Sequence, residues 1–112
     1  MTFEKLRELF LSYPGVEEGS SYGTPAFKVR KKLLVRVHQK EPALVMKVAS
    51  LDEQEALIEM DPKVFYVTDH YQGYPFVLAR TSKIKKGQAR AIFEAAWRAE
   101  ASRKQIAELD DG

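Results

Sequence analysis

Phe27-Lys28-Val29-Arg30-Lys31-Lys32-Leu33-Leu34-Val35-Arg36-Val37-His38-Gln39-Lys40-Glu41-Pro42-Ala43-Leu44-Val45-Met46-Lys47-Val48 contains three short runs that alternate apolar and polar residues. Phe27 and Val29 share a face opposite Lys28 and Arg30. Leu33, Val35 and Val37 oppose Leu34, Arg36 and His38, and Leu44, Met46 and Val48 oppose Val45 and Lys47. Side chains on a strand point alternately to its two faces, so a period of two over consecutive runs predicts antiparallel strands with one buried face. Arg30-Lys31-Lys32 and Gln39-Lys40-Glu41-Pro42 stand where the chain must turn.

Upstream, Phe3, Leu6, Leu9 and Phe10 recur at helical spacing, and Tyr13-Pro14-Gly15 ends that helix. Val16 to Tyr22 fits a first edge strand before the break at Gly23-Thr24-Pro25. Downstream, Ser50-Leu51-Asp52-Glu53 has the capping-box pattern and opens a helix expected to stop at Asp61-Pro62. Two further strands are expected over Val64 to Thr68 and Phe76 to Arg80. After Lys85 the stripe Ala89, Ile92, Phe93, Ala96, Trp97 defines a long helix that bends or breaks near Ser102, with Ile106 and Leu109 anchoring a terminal turn. The fold class is therefore α+β: a single two-layer domain over residues 1–112, with an antiparallel β-sheet of about five or six strands and helices packed on one side.

The 112 residues include 18 Lys+Arg and 16 Asp+Glu, for a formal charge of +2, and no cysteine. The length suits one core, and the missing thiols exclude a disulfide framework, a thiolate nucleophile and cysteine zinc sites. No run is apolar enough to span a membrane, and the charged opening does not resemble a signal peptide; the expected location is cytoplasmic. The small net charge conceals blocks of opposite sign. Lys28 to Lys47 holds seven bases and one acid, a net of +6. Val48 to Asp61 is −5, Arg80 to Arg90 is +5, and the last 22 residues are −2. Such blocks can focus a field toward a polyanion. If the helices cover the apolar face, the opposite face collects Lys28, Arg30, Arg36, His38 and Lys47, and like charges facing one another across strands call for a counter-charge. Glu17 and Glu18 on the first strand are candidates within the chain.

The chemistry of the common enzyme classes is missing. His38 and His70 have no partners at metal-ligand spacing, and there is no nucleophile elbow, P-loop or dinucleotide-binding glycine motif. No catalytic residue, metal or cofactor is assigned.

Several stretches taken together resemble the MmcQ/YjbR family. They are Pro14-Gly15-Val16-Glu17-Glu18, Tyr22-Gly23-Thr24-Pro25-Ala26-Phe27-Lys28-Val29, Lys31-Lys32-Leu33, Phe65-Tyr66-Val67-Thr68, Gly73-Tyr74-Pro75-Phe76-Val77-Leu78 and Ala96-Trp97-Arg98. The family's glycine-x-proline-x-phenylalanine motif falls on Gly23, Pro25 and Phe27. The resemblance implies a CyaY-like domain of the "double wing" DNA-binding type, and carries no catalytic residues. One departure stands at the last helix, which opens on Lys85-Lys86-Gly87-Gln88 where similar sequences have an acidic cap. Cations at a helix N-terminus are unfavourable, and a bound phosphate would relieve them.

The expected function is non-enzymatic, non-specific DNA binding through phosphates. The contact residues would be Lys28, Arg30, Lys31, Lys32, Arg36, His38 and Lys47, with a second cluster at Lys83, Lys85, Lys86 and Arg90. Two alternatives stand beside it. One is a small-ligand or enzymatic pocket near Thr24, His70, Tyr71 and Tyr74; the other is a protein-interaction module for an acidic partner. Monomer is the default oligomeric state.

Overall fold

The computed structural model describes residues 1–112. In chain order the elements are α1 (Phe3–Leu11), β1 (Glu17–Ser21), β2 (Thr24–Val29), β3 (Lys32–Val37), β4 (Ala43–Lys47), α2 (Leu51–Met60), β5 (Phe65–Tyr66), β6 (Phe76–Arg80), α3 (Lys86–Glu100) and α4 (Arg103–Asp111). The six strands form one antiparallel sheet in the order β1-β2-β3-β4-β6-β5.

The helical layer buries the apolar face foreseen from the alternation. Phe10 of α1 stacks on Phe93 of α3 at 4.5 Å between ring centres and meets Phe27 of β2 edge-on at 5.2 Å. Trp97 is fully buried, and its indole Nε1–H donates to the Pro14 carbonyl at 2.9 Å, which fixes the turn after α1. At α1, α2 and α4 the N-cap side chain accepts from a first-turn amide. Ser50 accepts from the Glu53 amide at 3.2 Å while Glu53 reaches back to the Ala49 amide at 2.8 Å, one residue beyond the usual partner. Ser102 and Gln105 cap each other across the break between α3 and α4, so the expected terminal turn is a nine-residue helix.

Three local expectations are corrected. In the β2–β3 pairing Phe27 faces Val35 and Lys28 faces Leu33, so Leu34 is the extra residue of a β-bulge. The bulge turns Leu34 into the core beside Val35 and sends Leu33 to the face of Lys28, the reverse of strict alternation. The strand expected over Val64 to Thr68 shrinks to Phe65–Tyr66. The chain then leaves the edge to pass over the second face of the sheet. There Tyr71 packs with Ala43, Val45 and Leu78 in a small separate core, so the far face is partly roofed instead of lying open.

Gln54 of α2 anchors that roof. Its buried amide donates to the carbonyls of Tyr74 at 2.9 Å and Phe76 at 2.7 Å. Gln54→Ala removes both donations; the Tyr74 carbonyl keeps the Phe76 amide at 2.7 Å, so the cost falls mainly on the Phe76 carbonyl and is about 1–3 kcal/mol. Urea denaturation is expected to show a loss within that range for the pair as a whole, and an unchanged midpoint would show that the loop closes without this anchor.

Candidate functional site

The predicted cations do not form one surface. The strand ends sort them into two groups at opposite ends of the sheet, because β2–β3 turns at Arg30 and Lys31 whereas β1–β2 and β3–β4 turn at the other end. At the first end Lys28 and Lys47 meet acids, whereas Lys31 and Lys32 make no ion pair. Lys28 faces Glu17 across the β1–β2 ladder, Lys47 lies 3.2 Å from Glu100 on α3, and Arg30 donates to the Glu100 carbonyl at 3.2 Å. The sequence placed Lys47 on the far face among free bases; in the structure its ammonium reaches the helical layer and is paired. A shallow depression here is lined by Glu17, Glu18, Lys28, Arg30 and Lys31, with both signs present.

The second end gathers bases from both sequence blocks. The Pro42 carbonyl accepts from the Thr81 amide at 3.1 Å and from its hydroxyl at 3.0 Å, tying the β3–β4 turn to the segment after β6. Lys40 and Lys83 flank that tie. From there the chain enters α3, where Lys86 and Arg90 share a depression of about 640 Å³ with Lys5 of α1, and Glu8 is the one carboxylate in its lining. Since α3 has 15 residues, its two ends are roughly 21 Å apart at 1.5 Å per residue, which separates Lys86 from the Glu100 cluster. The helix start also differs from expectation. The Lys85 amide donates to Gln88 Oε1 at 2.9 Å, and Gln88 Nε2 donates to Asp61 Oδ2 at 2.9 Å. Gln88 supplies the cap, and the counter-charge comes from the end of α2 through one hydrogen bond.

On the far face, beside Lys40, lies a cleft of about 250 Å³ lined by Tyr22, Arg36, His38, Gln39, Lys40, His70 and Tyr71. Of the four pocket residues foreseen from sequence, His70 and Tyr71 line it. Thr24 is structural, its hydroxyl donating to the Val37 carbonyl at 2.6 Å, and Tyr74 is exposed in the loop outside the cleft. Arg36 is only 6% exposed. Its guanidinium carbon stands 5.1 Å from the Tyr22 ring centre and 5.5 Å from that of Tyr71. Burial lowers its pKa from the usual arginine value. It makes no ion pair, and its one hydrogen bond is to the Val37 carbonyl at 3.3 Å. Burying a charge without a counter-ion costs several kcal/mol, and two cation–π contacts at about 0.5–2 kcal/mol each offset part of it. Tyr22, which the sequence offered only as the end of a strand, is 74% exposed at φ +54° and completes this stack. Its neighbour Gly23 was the available signal: a Tyr-Gly pair at a hairpin tip accommodates the left-handed backbone and projects the ring outward.

No group of three or more His, Asp or Glu side chains is placed to hold a metal ion, and no helix is long and apolar enough to cross a membrane.

An antiparallel six-stranded sheet under four helices, with one cationic end and an arginine cleft on its far face, defines a small α+β domain. The chain belongs to the YjbR family, whose model matches residues 11–99. YjbR is not a known enzyme family. Among solved structures, the crystal structure of Deinococcus radiodurans protein DR2400, a DUF419 domain, superposes with a TM-score of 0.72 at 15% identity, covering 97% of this chain and 88% of that one. At that identity the likeness concerns the fold. No curated protein matches the chain.

Two tyrosines carry a titration marker. The Tyr66 hydroxyl donates to Glu41 Oε1 at 2.9 Å, and burial first, then this carboxylate, pushes its pKa from 10.0 up to about 12. Tyr13 is also pushed up to about 12, by burial and by its hydrogen bond to Glu94. Both groups bind their protons more tightly when folded, so their contribution to stability is complete below pH 10 and is lost as the pH rises from about 10 through about 12. Tyrosinate absorbance is expected to show a late phase that urea abolishes. Glu41→Gln should shift the Tyr66 component downward without returning it to the free value, because burial is the larger cause; a complete return would assign the shift to the carboxylate alone.

Proposed function

We propose that the chain is a non-enzymatic nucleic-acid-binding domain that holds DNA through its phosphates at the end of the molecule formed by the start of α3 and the β3–β4 turn. The observation that carries this reading is the cationic depression of Lys5, Lys86 and Arg90 with the single carboxylate Glu8, continued by Lys83 and Lys85. Lys40 extends it through the Pro42–Thr81 tie. The bases at the opposite end contribute less, since Lys28, Arg30 and Lys47 already face Glu17 and Glu100.

Sequence readout has no support in this arrangement. The buried stripe of α3 packs on the sheet, and the residues it presents at its start are lysines and one arginine, which suit phosphate oxygens. Phosphate contacts position a protein on nucleic acid without reading bases. Family membership is consistent with this reading, as is the resemblance to the double-wing type.

With about five phosphates neutralised, log K should fall against log salt with a slope of roughly −4 to −5 on duplex DNA. Replacing Lys86 and Arg90 together by Glu is expected to weaken binding at least tenfold at low salt and to flatten the slope by about two. The same exchange at Lys31 and Lys32 should have a much smaller effect. Fluorescence anisotropy with a labelled duplex at several salt concentrations measures both. Absence of binding to duplex and single strand alike overturns the proposal; an equal loss from the Lys31/Lys32 pair would move the contact to the other end.

A further inference from the structure

We infer that the Tyr22–Arg36–Tyr71 cleft is a binding site for a terminal phosphate monoester, on the end of a nucleic-acid strand or on a free mononucleotide. The inference rests on the nucleic-acid reading only for the source of the phosphate.

The argument begins with Arg36. A guanidinium presents five N–H donors in a planar fork that matches phosphate oxygens, and here one hydrogen bond, to the Val37 carbonyl, is made within the chain. Arg36 as a residue is more than nine-tenths buried and forms no ion pair. Its position is fixed by the two tyrosine rings on either side, so the fork is held in place before any ligand arrives. The lining itself holds no carboxylate; Glu41 of the β3–β4 turn, beside it, is engaged by the Tyr66 hydroxyl at 2.9 Å and stands 3.7 Å from His38 Nε2. His38 Nδ1 accepts from the amides of Lys40 and Glu41, each at 3.1 Å, which leaves Nε2 to carry the ring proton. Gln39 donates to the Tyr22 carbonyl at 3.0 Å and holds the two turns together around the opening. Lys40 and His70 stand at the mouth, and His70 is braced edge-on against Tyr71 at 4.7 Å.

Shape then selects among phosphates. An internal phosphodiester is flanked by a sugar on each side and cannot lower its oxygens onto the guanidinium of a residue that the fold leaves only 6% exposed. A monoester projects from a single attachment and can enter. It also carries a second negative charge near neutral pH, which the two cations Arg36 and Lys40 match. The outer face of the exposed Tyr22 ring is then available to stack the attached base. Lys40 lies both in this cleft and on the cationic end of the molecule, so a strand held by the rim could deliver its end here.

The test compares single strands of one sequence bearing a 5′-phosphate, a 3′-phosphate or hydroxyls at both ends, with inorganic phosphate and deoxyadenosine 5′-monophosphate as competitors. One phosphorylated strand is expected to bind at least fivefold more tightly than the hydroxyl strand. Tyr22→Gly, which relieves a left-handed backbone, and His70→Ala, at an exposed loop position, should each reduce that preference while leaving binding of the hydroxyl strand unchanged. Arg36→Lys should abolish it; where that variant fails to fold, the other two carry the test. If the mononucleotide competes as well as the strand, the free nucleotide is the ligand; if it does not, the strand end is. Equal affinity for all three strands, together with no competition by phosphate or mononucleotide, overturns the inference, as does a preference that survives Tyr22→Gly and His70→Ala. Loss of binding to the hydroxyl strand alone bears on the rim, since the monoester preference is read from the phosphorylated strands and the free mononucleotide.

Discussion

Strand β4 is covered on both faces, and most of the arrangement around it follows. Ala43, Leu44, Val45 and Met46 are all at most 1% exposed. Leu44 and Met46 face the helices, while Ala43 and Val45 face the other way. In a two-layer α+β domain the second face of a sheet is commonly left to water, but a strand that is apolar on both sides needs a second cover. That cover is the segment between β5 and β6, which sets Tyr71 over Val45 and Leu78. Covering the sheet there also creates the wall against which Arg36 is buried.

The stability of the cover depends on polar contacts that are local and few. Gln54 holds the descending limb from beneath, and Arg80 stacks over Tyr66 at 4.2 Å while donating to the carbonyls of Pro62 and Lys63. Arg80 is therefore spent on structure, although it belongs to the second basic block of the sequence. The same holds for Lys47 and Arg30, whose partners lie at Glu100. Net charge along the chain overstates the charge available to a ligand wherever a folded partner stands close by, and understates it at the start of α3, where bases from separate helices meet.

Much of the fold was legible because it rests on periodicity. The alternation over Phe27 to Val48, the stripe from Ala89 to Trp97 and the Ser50 capping pattern all act through near neighbours in sequence, and the elements follow them. Leu34 was misread because a bulge interrupts a period of two without leaving a distinctive residue type. The site was legible only in its ingredients. Arg36, His38, His70 and Tyr71 were each singled out, but as members of two different surfaces, one basic and one a pocket. What joins them is the passage of the 67–75 segment over the sheet, a contact between residues more than thirty positions apart that no local pattern encodes. Lys5 was missed for the same reason: on α1 it reads as a solvated helical base until α3 is laid beside it.

The central claim is that DNA is held at the end of the molecule where α3 begins. Amide chemical-shift mapping during titration with a short duplex tests it most directly, since each end of the sheet carries its own set of resonances. The account predicts the largest shifts at Lys5, Lys40 and Lys83 to Arg90, with little change at Arg30 to Lys32 and Glu100. Shifts concentrated at Arg30 to Lys32, or none above background anywhere, would contradict it.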